Sequence, residues 1–467
     1  MHAFDDELGG LDGLATAALI RDRQVSRREV IESALRRAAA VDAELNLVAV
    51  LDEGAVEAGV VAGPFSGVPT FVKDNTDVVG LPSRHGSEGL HPKPASHDAA
   101  ITTALRRSGA VVLGKSRLPE FGFNASTEFA TEPPARNPWD PAYSTGASSG
   151  GSAGLVAAGA VPFAHANDGG GSIRIPAAAC GLVGLKCTRG RMPAAVLEHV
   201  LPVNIVGEGV VSRSVRDTAH LLAHIERRVR GLPAIGLVEG PSTRRLRIGL
   251  VLDSVTGTPT DDATRAAVCE TAALLTELGH DVREMAVPVD AAFADDFTLY
   301  WSALAAAMAG LGHRLLPGLD RSRLDGLTRG LAGHFRAHRR DIVGAVARLR
   351  RSSVVYEEAL AGFDAVLTPV TAGTTPRLGY LSPTVPFEEL LDRLVAHVAF
   401  TPVNNVSGSP AISVPTGRTP DGRPVGVHVM GPRGGERTLL ELAYELEQAR
   451  PFTRLGTPSE AAAATAG

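Results

Sequence analysis

The spacing of apolar positions along this chain changes several times, and each change predicts an element. Residues 11–45 carry helical spacing. Leu14, Ala17, Leu19 and Ile20 form one apolar patch, and Val30, Ile31 and Leu35 continue a second helix. Ser26 is the N-cap expected for that second helix, with Glu29 three residues on, the spacing of a capping box. Short apolar runs at 47–51 and 69–72 predict strands. Residues 99–108, Gly109 and the run AVVLG predict a helix, a turn and a buried strand. The same order recurs at 272–278, Gly279 and 282–284, preceded by a strand at 246–252. Further on, 363–369 predicts a strand, 411–415 and 425–430 a hairpin, and 437–448 a closing helix before a frayed end at 458–467. Such alternation predicts an α/β fold with a largely internal sheet.

Two stretches break this rhythm. Residues 120–190 are dense in Gly, Ser, Pro and Asn, in two glycine–serine clusters. Loops held on a rigid scaffold often carry function. Residues 291–362 are helical and arginine-rich, either a pocket wall or a peripheral layer. No repeat or linker divides the chain, so residues 1–467 are expected to form a single domain with 291–362 as a helical insert.

Composition narrows the function classes. With 467 residues, 44% of them apolar and 21% charged, the chain can bury a large core. A net charge of −5 offers no basic footprint for nucleic acid. Three cysteines, Cys180, Cys187 and Cys269, exclude a disulfide framework. The acidic start lacks the basic opening of a secretory signal. The longest apolar stretch, 299–311, is interrupted by Ser302 and falls short of the ~20 residues that span a bilayer. The expectation is a cytoplasmic protein with neither nucleic acid nor membrane as partner. A homodimer is the expected assembly, though no residue pattern specifies it.

One usage stands out. Of 46 basic residues only four are lysines: Lys73, Lys93, Lys115 and Lys186. Arginine stays protonated in proteins, whereas a buried lysine can become neutral. A lysine kept in such a chain is a candidate for lysine-specific chemistry. Lys93 lies in the loop-like HPKPASHD and reads as chance; Lys115 and Lys186 read as structural. Lys73 follows an apolar strand and precedes Asp74 and Asn75, where desolvation would lower its pKa.

The first glycine–serine cluster is Gly146-Ala147-Ser148-Ser149-Gly150-Gly151-Ser152. It contains a formal G-x-S-x-G, but the preceding NPWDPAYST does not read as the buried strand a nucleophile elbow needs. The second is Asn167-Asp168-Gly169-Gly170-Gly171-Ser172-Ile173-Arg174-Ile175-Pro176. Successive glycines let backbone N–H groups converge on one anion, with a serine hydroxyl beside them. A phosphate loop would need a G-K-[ST] ending, which is absent. A purely structural glycine turn remains an alternative. The histidine pairs His220/His224 and His334/His338 lack the H-E-x-x-H form, and Cys180 with Cys187 lacks metal-site spacing. No metal or organic cofactor is implied.

Lys73, the Gly-Ala-Ser-Ser-Gly-Gly cluster and the Gly-Gly-Gly-Ser-Ile-Arg-Ile-Pro cluster, in that order, resemble the amidase signature family. Ser148 and Ser172 stand 24 residues apart, as in that family. GVPTFVKDN, VVLGKSRLPEFG and SGSPAISVPTG also resemble family segments, so the likeness covers roughly 10–450 and is weakest in 285–360. The stretch AHANDGGGSIRIPAAACGLVGLK is similar to bacterial members that resemble the cyclic-oligoamide (nylon-oligomer) amidases. The resemblance implies a large mixed β-sheet covered by helices on both faces. It implies a Ser–cis-Ser–Lys triad, with Ser172 as nucleophile, Ser148 as relay on a cis peptide and Lys73 as neutral base. It also implies an oxyanion hole from the N–H groups of Gly169, Gly170, Gly171 and Ser172, supported by Ser149, Asp168 and Arg174. Ala147 departs from the glycine common there and would narrow the cleft. Phe123, Asn124, Ile173 and Trp301 are the candidates for the substrate pocket. The implied activity is hydrolysis of a small-molecule carboxamide through an acyl-serine. An esterase, an acyl transferase or the glutaminase-type subunit of a tRNA amidotransferase are the alternatives.

Overall fold

The computed structural model describes residues 7–193 and 201–455. The frayed end expected at 458–467 lies outside them. The chain opens on helices α1 (Gly13–Arg21) and α2 (Arg27–Leu45). At the start of α2 the Ser26 hydroxyl accepts from Glu29 N–H at 3.2 Å, and the Glu29 carboxylate accepts from Ser26 N–H at 2.7 Å. The expected capping box is therefore reciprocal.

Strands β1 (Val48–Leu51), β2 (Pro69–Lys73) and β3 (Val111–Ser116) follow, with α3 (Ala100–Arg107) between the last two. The glycine-rich region holds α4 (Gly150–Ala157), β4 (Phe163–Asp168), α5 (Arg174–Cys180) and β5 (Val183–Lys186). Next come β6 (Gly207–Ser212), α6 (Val215–Ile225), β7 (Arg247–Leu250), α7 (Asp262–Glu277) and β8 (Asp281–Glu284). The arginine-rich stretch forms α8 (Phe293–Leu315), α9 (Gly326–His338) and α10 (Ile342–Ala359). The chain then runs through β9 (Ala365–Pro369), α11 (Phe387–His397), α12 (Pro402–Ser407), β10 (Ala411–Arg418), β11 (Pro424–Met430) and α13 (Glu436–Ala449).

Among the described residues these strands make two sheets. The larger has eight strands in the order β4-β6-β5-β10-β11-β9-β7-β8. Strand β7 is parallel to β8 and β9, and the other pairings are antiparallel, so the sheet is mixed. Val425, Val427 and Val429 of β11 and Ile412 and Val414 of β10 share one cluster with Val268 and Leu275 of α7 and Leu439 and Leu446 of α13. The alternating residues meet α5 on the opposite face. There a Cβ at Gly426 would collide with Ala178, and one at Gly184 would lie 2.6 Å from the Ala177 methyl. Alanine facing glycine lets α5 lie flat on the sheet.

The smaller sheet, β1-β3-β2, was not foreseen. Two short apolar runs carry no signal for which strand they will pair with. Its strand β2 lies beside β4, the edge of the larger sheet. Side chains bridge the seam: the Thr70 hydroxyl donates to Phe163 O at 3.1 Å, and Lys73 N–H donates to His165 Nδ1 at 3.2 Å.

Candidate active site

Lys73 ends β2 and is fully buried. Its Nζ lies 2.8 Å from Ser148 Oγ and donates to Asn167 Oδ1 at 2.7 Å. Ser148 sits just before α4, and the Ala147–Ser148 peptide is cis. Gly122 closes over this serine. Its φ is +74°, and a Cβ there would sit 3.0 Å from Ser148 Oγ, so glycine answers both needs. Ser149 ties the segments together: its hydroxyl donates to Asn167 O at 3.2 Å and its N–H to Ser172 O at 3.3 Å.

Ser172 lies half-buried in the turn between β4 and α5. Asp168, at the end of β4, holds this turn from inside. Its carboxylate accepts from Gly171 N–H at 2.6 Å and Ile173 N–H at 3.1 Å. Arg174 grips the same carboxylate through Nε at 2.9 Å and Nη2 at 3.0 Å, with both side chains fully buried. Arg174 also donates to Thr401 O at 2.9 Å and Asn405 Oδ1 at 2.7 Å. The Thr401 hydroxyl donates to Gly170 O at 2.7 Å. Among the described residues the N–H groups of Gly169, Gly170 and Ser172 make no hydrogen bond. Gly171 differs from the expectation, because Asp168 already takes its N–H.

Electrostatics separate the charged groups. Burial lowers the Lys73 pKa to about 7, although the carboxylates of Glu208 and Asp168 pull it upward. Burial acts the other way on Asp168, but the Arg174 charge and the hydrogen bonds overcome it and hold the carboxyl well below its usual range. A lowered pKa alone does not mark the site. Burial also takes Lys186 to about 7, yet its Nζ is spent on Cys187 O at 3.0 Å and Ser409 O at 2.9 Å. Lys115 pairs with Asp74 at 3.1 Å. Lys115 also donates to Ser83 Oγ at 2.5 Å and Pro82 O at 3.0 Å, so both lysines are committed away from the glycine turn, and Lys73 is the one that reaches Ser148. Among the described residues no group of three or more His, Cys, Asp or Glu is placed to hold a metal ion.

Aromatic side chains from two segments approach the site. A Cβ at Gly170 would lie 3.3 Å from the Phe297 ring, so α8 reaches the serine turn. Phe121 and Phe123 meet edge-on at 6.0 Å, and Phe123 and Trp301 are half-buried against one apolar cluster. Two other pocket candidates are spent elsewhere. Asn124 is buried, donating to Leu381 O at 2.7 Å and accepting from Ser126 N–H at 3.2 Å. Ile173 is fully buried and turned toward the sheet, where a Cβ at Gly209 would lie 2.8 Å from its terminal methyl. An apolar side chain beside a serine turn gains more from the core than from a wet cleft.

Several residues here escaped sequence reading. Asn167 heads the second cluster but had no expected role, and His165 was not singled out; alternation along AHAND, which puts both on one face of β4, was the available signal. Thr401, Asn405 and Phe297 had none, being far from the motifs in sequence.

The buried Lys73 thus meets Ser148 on a cis peptide, beside a glycine turn whose N–H groups are unspent. The Amidase family model matches residues 29–440, and the chain belongs to that family of hydrolases acting on amide bonds. It is 48% identical to "Putative amidase AmiC" of Mycobacterium tuberculosis, over 98% of this chain and 99% of that one. It is 35% identical to a 6-aminohexanoate-cyclic-dimer hydrolase of Paenarthrobacter ureafaciens, over 94% and 95%. A solved 6-aminohexanoate cyclic dimer hydrolase superposes with a TM-score of 0.86 at 31% identity, over 96% and 98% of the two chains. A bacterial aryl acylamidase of the amidase signature family superposes with a TM-score of 0.82 at 26% identity, over 95% and 96%. Among the described residues no helix is long and apolar enough to cross a membrane.

Proposed function

We propose that the protein hydrolyses a small-molecule carboxamide through an acyl-serine formed on Ser172. The 2.8 Å approach of a buried Lys73 Nζ to Ser148 Oγ carries this reading. A serine hydroxyl is a poor nucleophile until a base takes its proton. Ser172 passes its proton to Ser148 Oγ while Ser148 passes its own to neutral Lys73. Ser172 Oγ then attacks the carbonyl carbon, and the N–H groups of Gly169, Gly170 and Ser172 receive the oxyanion. Return of the proton through Ser148 lets the amine leave, and water completes the cycle. Asp168 and Arg174 brace the turn, and Ser149 holds the two serine segments in register.

Residues 1–467 act as one amidase domain in this reading, with the 291–362 helices as a pocket wall through Phe297 and Trp301. An aromatic wall suits an uncharged acyl group. Three free thiols, Cys180, Cys187 and Cys269, suit a cytoplasmic location.

The test is a matched panel in which each acyl group is offered as amide and as ester, with 6-aminohexanoate cyclic dimer included. Ser172→Ala is the control, and a fluorophosphonate probe is mapped on the native protein. Amide turnover, loss in the variant and label on Ser172 are expected. Active, folded protein that leaves Ser172 unlabelled would overturn the assignment. Turnover of esters alone would favour an esterase or acyl transferase.

A further inference from the structure

The seam between the sheets holds one charge that the proton relay leaves unused. Along β4, His165 and Asn167 share a face, and Asn167 contacts Lys73 Nζ. Glu208 of β6 stands opposite Asn167 in the antiparallel ladder, so it shares that face as well. His165 Nδ1 accepts Lys73 N–H at 3.2 Å, which leaves the ring proton on Nε2, and Nε2 donates to Glu208 Oε2 at 2.8 Å. In this tautomer both ring nitrogens are engaged, and the Glu208 carboxyl oxygen faces the seam as an acceptor. Both are buried, His165 fully and Glu208 at 3% exposure.

The other charges nearby are already balanced. Asp168 is gripped by Arg174, and Asp74 is paired with Lys115. Among the described residues Glu208 has no lysine or arginine as ion-pair partner; its partner is the His165 ring.

We propose that Glu208, aimed by His165, is the counter-charge that lets buried Lys73 hold a proton during the reaction. This rests on Lys73 being the base. As the Ser172 Oγ–carbon bond forms, one proton moves from Ser172 to Ser148 and one from Ser148 to Lys73, and the carbonyl π pair moves onto oxygen. An ammonium then exists in a dry site, where an uncompensated charge is costly. The Glu208 carboxylate offsets it until the proton returns through Ser148 to the leaving group. Glu208 and His165 are positioning residues, because they act through Lys73 and touch no substrate.

The pH dependence of Ser172 labelling by a fluorophosphonate tests this without knowing the substrate. In that reaction the P–O bond forms, the P–F bond breaks with loss of fluoride, and the serine proton takes the same relay. The rate is measured from about pH 5 to 10 for native protein, Glu208→Gln, Glu208→Asp and Lys73→Met. Removing the carboxylate disfavours the ammonium, so Lys73 loses its proton at lower pH. Glu208→Gln is expected to move the acidic limb down by about one unit, tenfold in ionisation constant, and to lower the plateau. Glu208→Asp keeps the charge but draws it back by one methylene, and moves the limb part of the way. It also serves if the amide variant does not fold. Native limbs in the folded Glu208 variants overturn the proposal. If Lys73→Met still labels at the native rate, the relay itself falls. If Lys73→Met is inert and the Glu208 variants keep the native limb, only the counter-charge falls.

Discussion

Lys73 on β2 and Asn167 on β4 meet across the seam between two sheets, Nζ to Oδ1 at 2.7 Å. Asn167 also exchanges hydrogen bonds with Asn75, at 3.1 and 3.4 Å. The amide therefore fixes where the lysine nitrogen stands relative to Ser148. Asn167→Ala is expected to lower kcat by about a hundredfold, since misplacement of a reacting group by an ångström has that scale. KM should stay near the native value. Steady-state kinetics on the best substrate of the panel checks this, and a loss confined to KM contradicts it.

Lys73→Met should cost about 10²–10⁴-fold in turnover, the usual share of a positioned base. In the native protein activity should rise with pH through about 7 as the amine becomes neutral. The same group makes a stability prediction. Folding lowers this lysine from an ordinary value to about 7, so the unfolded chain binds the extra proton between about pH 7 and 10. Stability from this group therefore rises with pH across that window. Lys73→Met should melt above the native protein near pH 7, with the difference closing by about pH 10. Calorimetry at several pH values reads it.

Arg174→Met strands the Asp168 carboxylate, which is fully buried. Breaking such a pair from one side typically costs about 3–5 kcal/mol. Denaturant titration at neutral pH is expected to show a loss of that size together with loss of activity. A variant of native stability would mean that other donors carry Asp168.

Gly122→Ala places a methyl against Ser148 Oγ and forces alanine into a backbone with φ of +74°. Activity should fall by at least tenfold while the melting temperature moves by a few degrees. Comparison of turnover with a thermal melt separates the two effects.

Which segments come together around Lys73 was largely legible in the sequence, because the motifs restrict residue types at close spacing. Lys73, Ser148, Ser149, Asp168, Ser172 and Arg174 stand together in the structure, and Gly169 and Gly170 keep their N–H groups unspent. The β10–β11 hairpin was legible in its two apolar runs, whereas the large mixed sheet was expected from the family resemblance alone. Pairing partners were not legible, so the separate sheet that delivers Lys73 was missed. Asn124 and Ile173 misled because adjacency to a motif says nothing about which way a side chain turns. Phe297 is one aromatic among several in a helical stretch, and only packing brings it to Gly170.

Lys73, Ser148 and Ser172 are all in place by residue 172, yet their turn is braced by Thr401 and Asn405. A gene fragment that encodes Lys73, Ser148 and Ser172 but stops before α12 would thus leave the glycine turn without these braces, and under the proposed mechanism it is expected to be inert. During synthesis the same geometry would delay completion of the turn until roughly the last seventh of the chain is being added. In that reading chain order alone would keep a half-made chain from acting on amides.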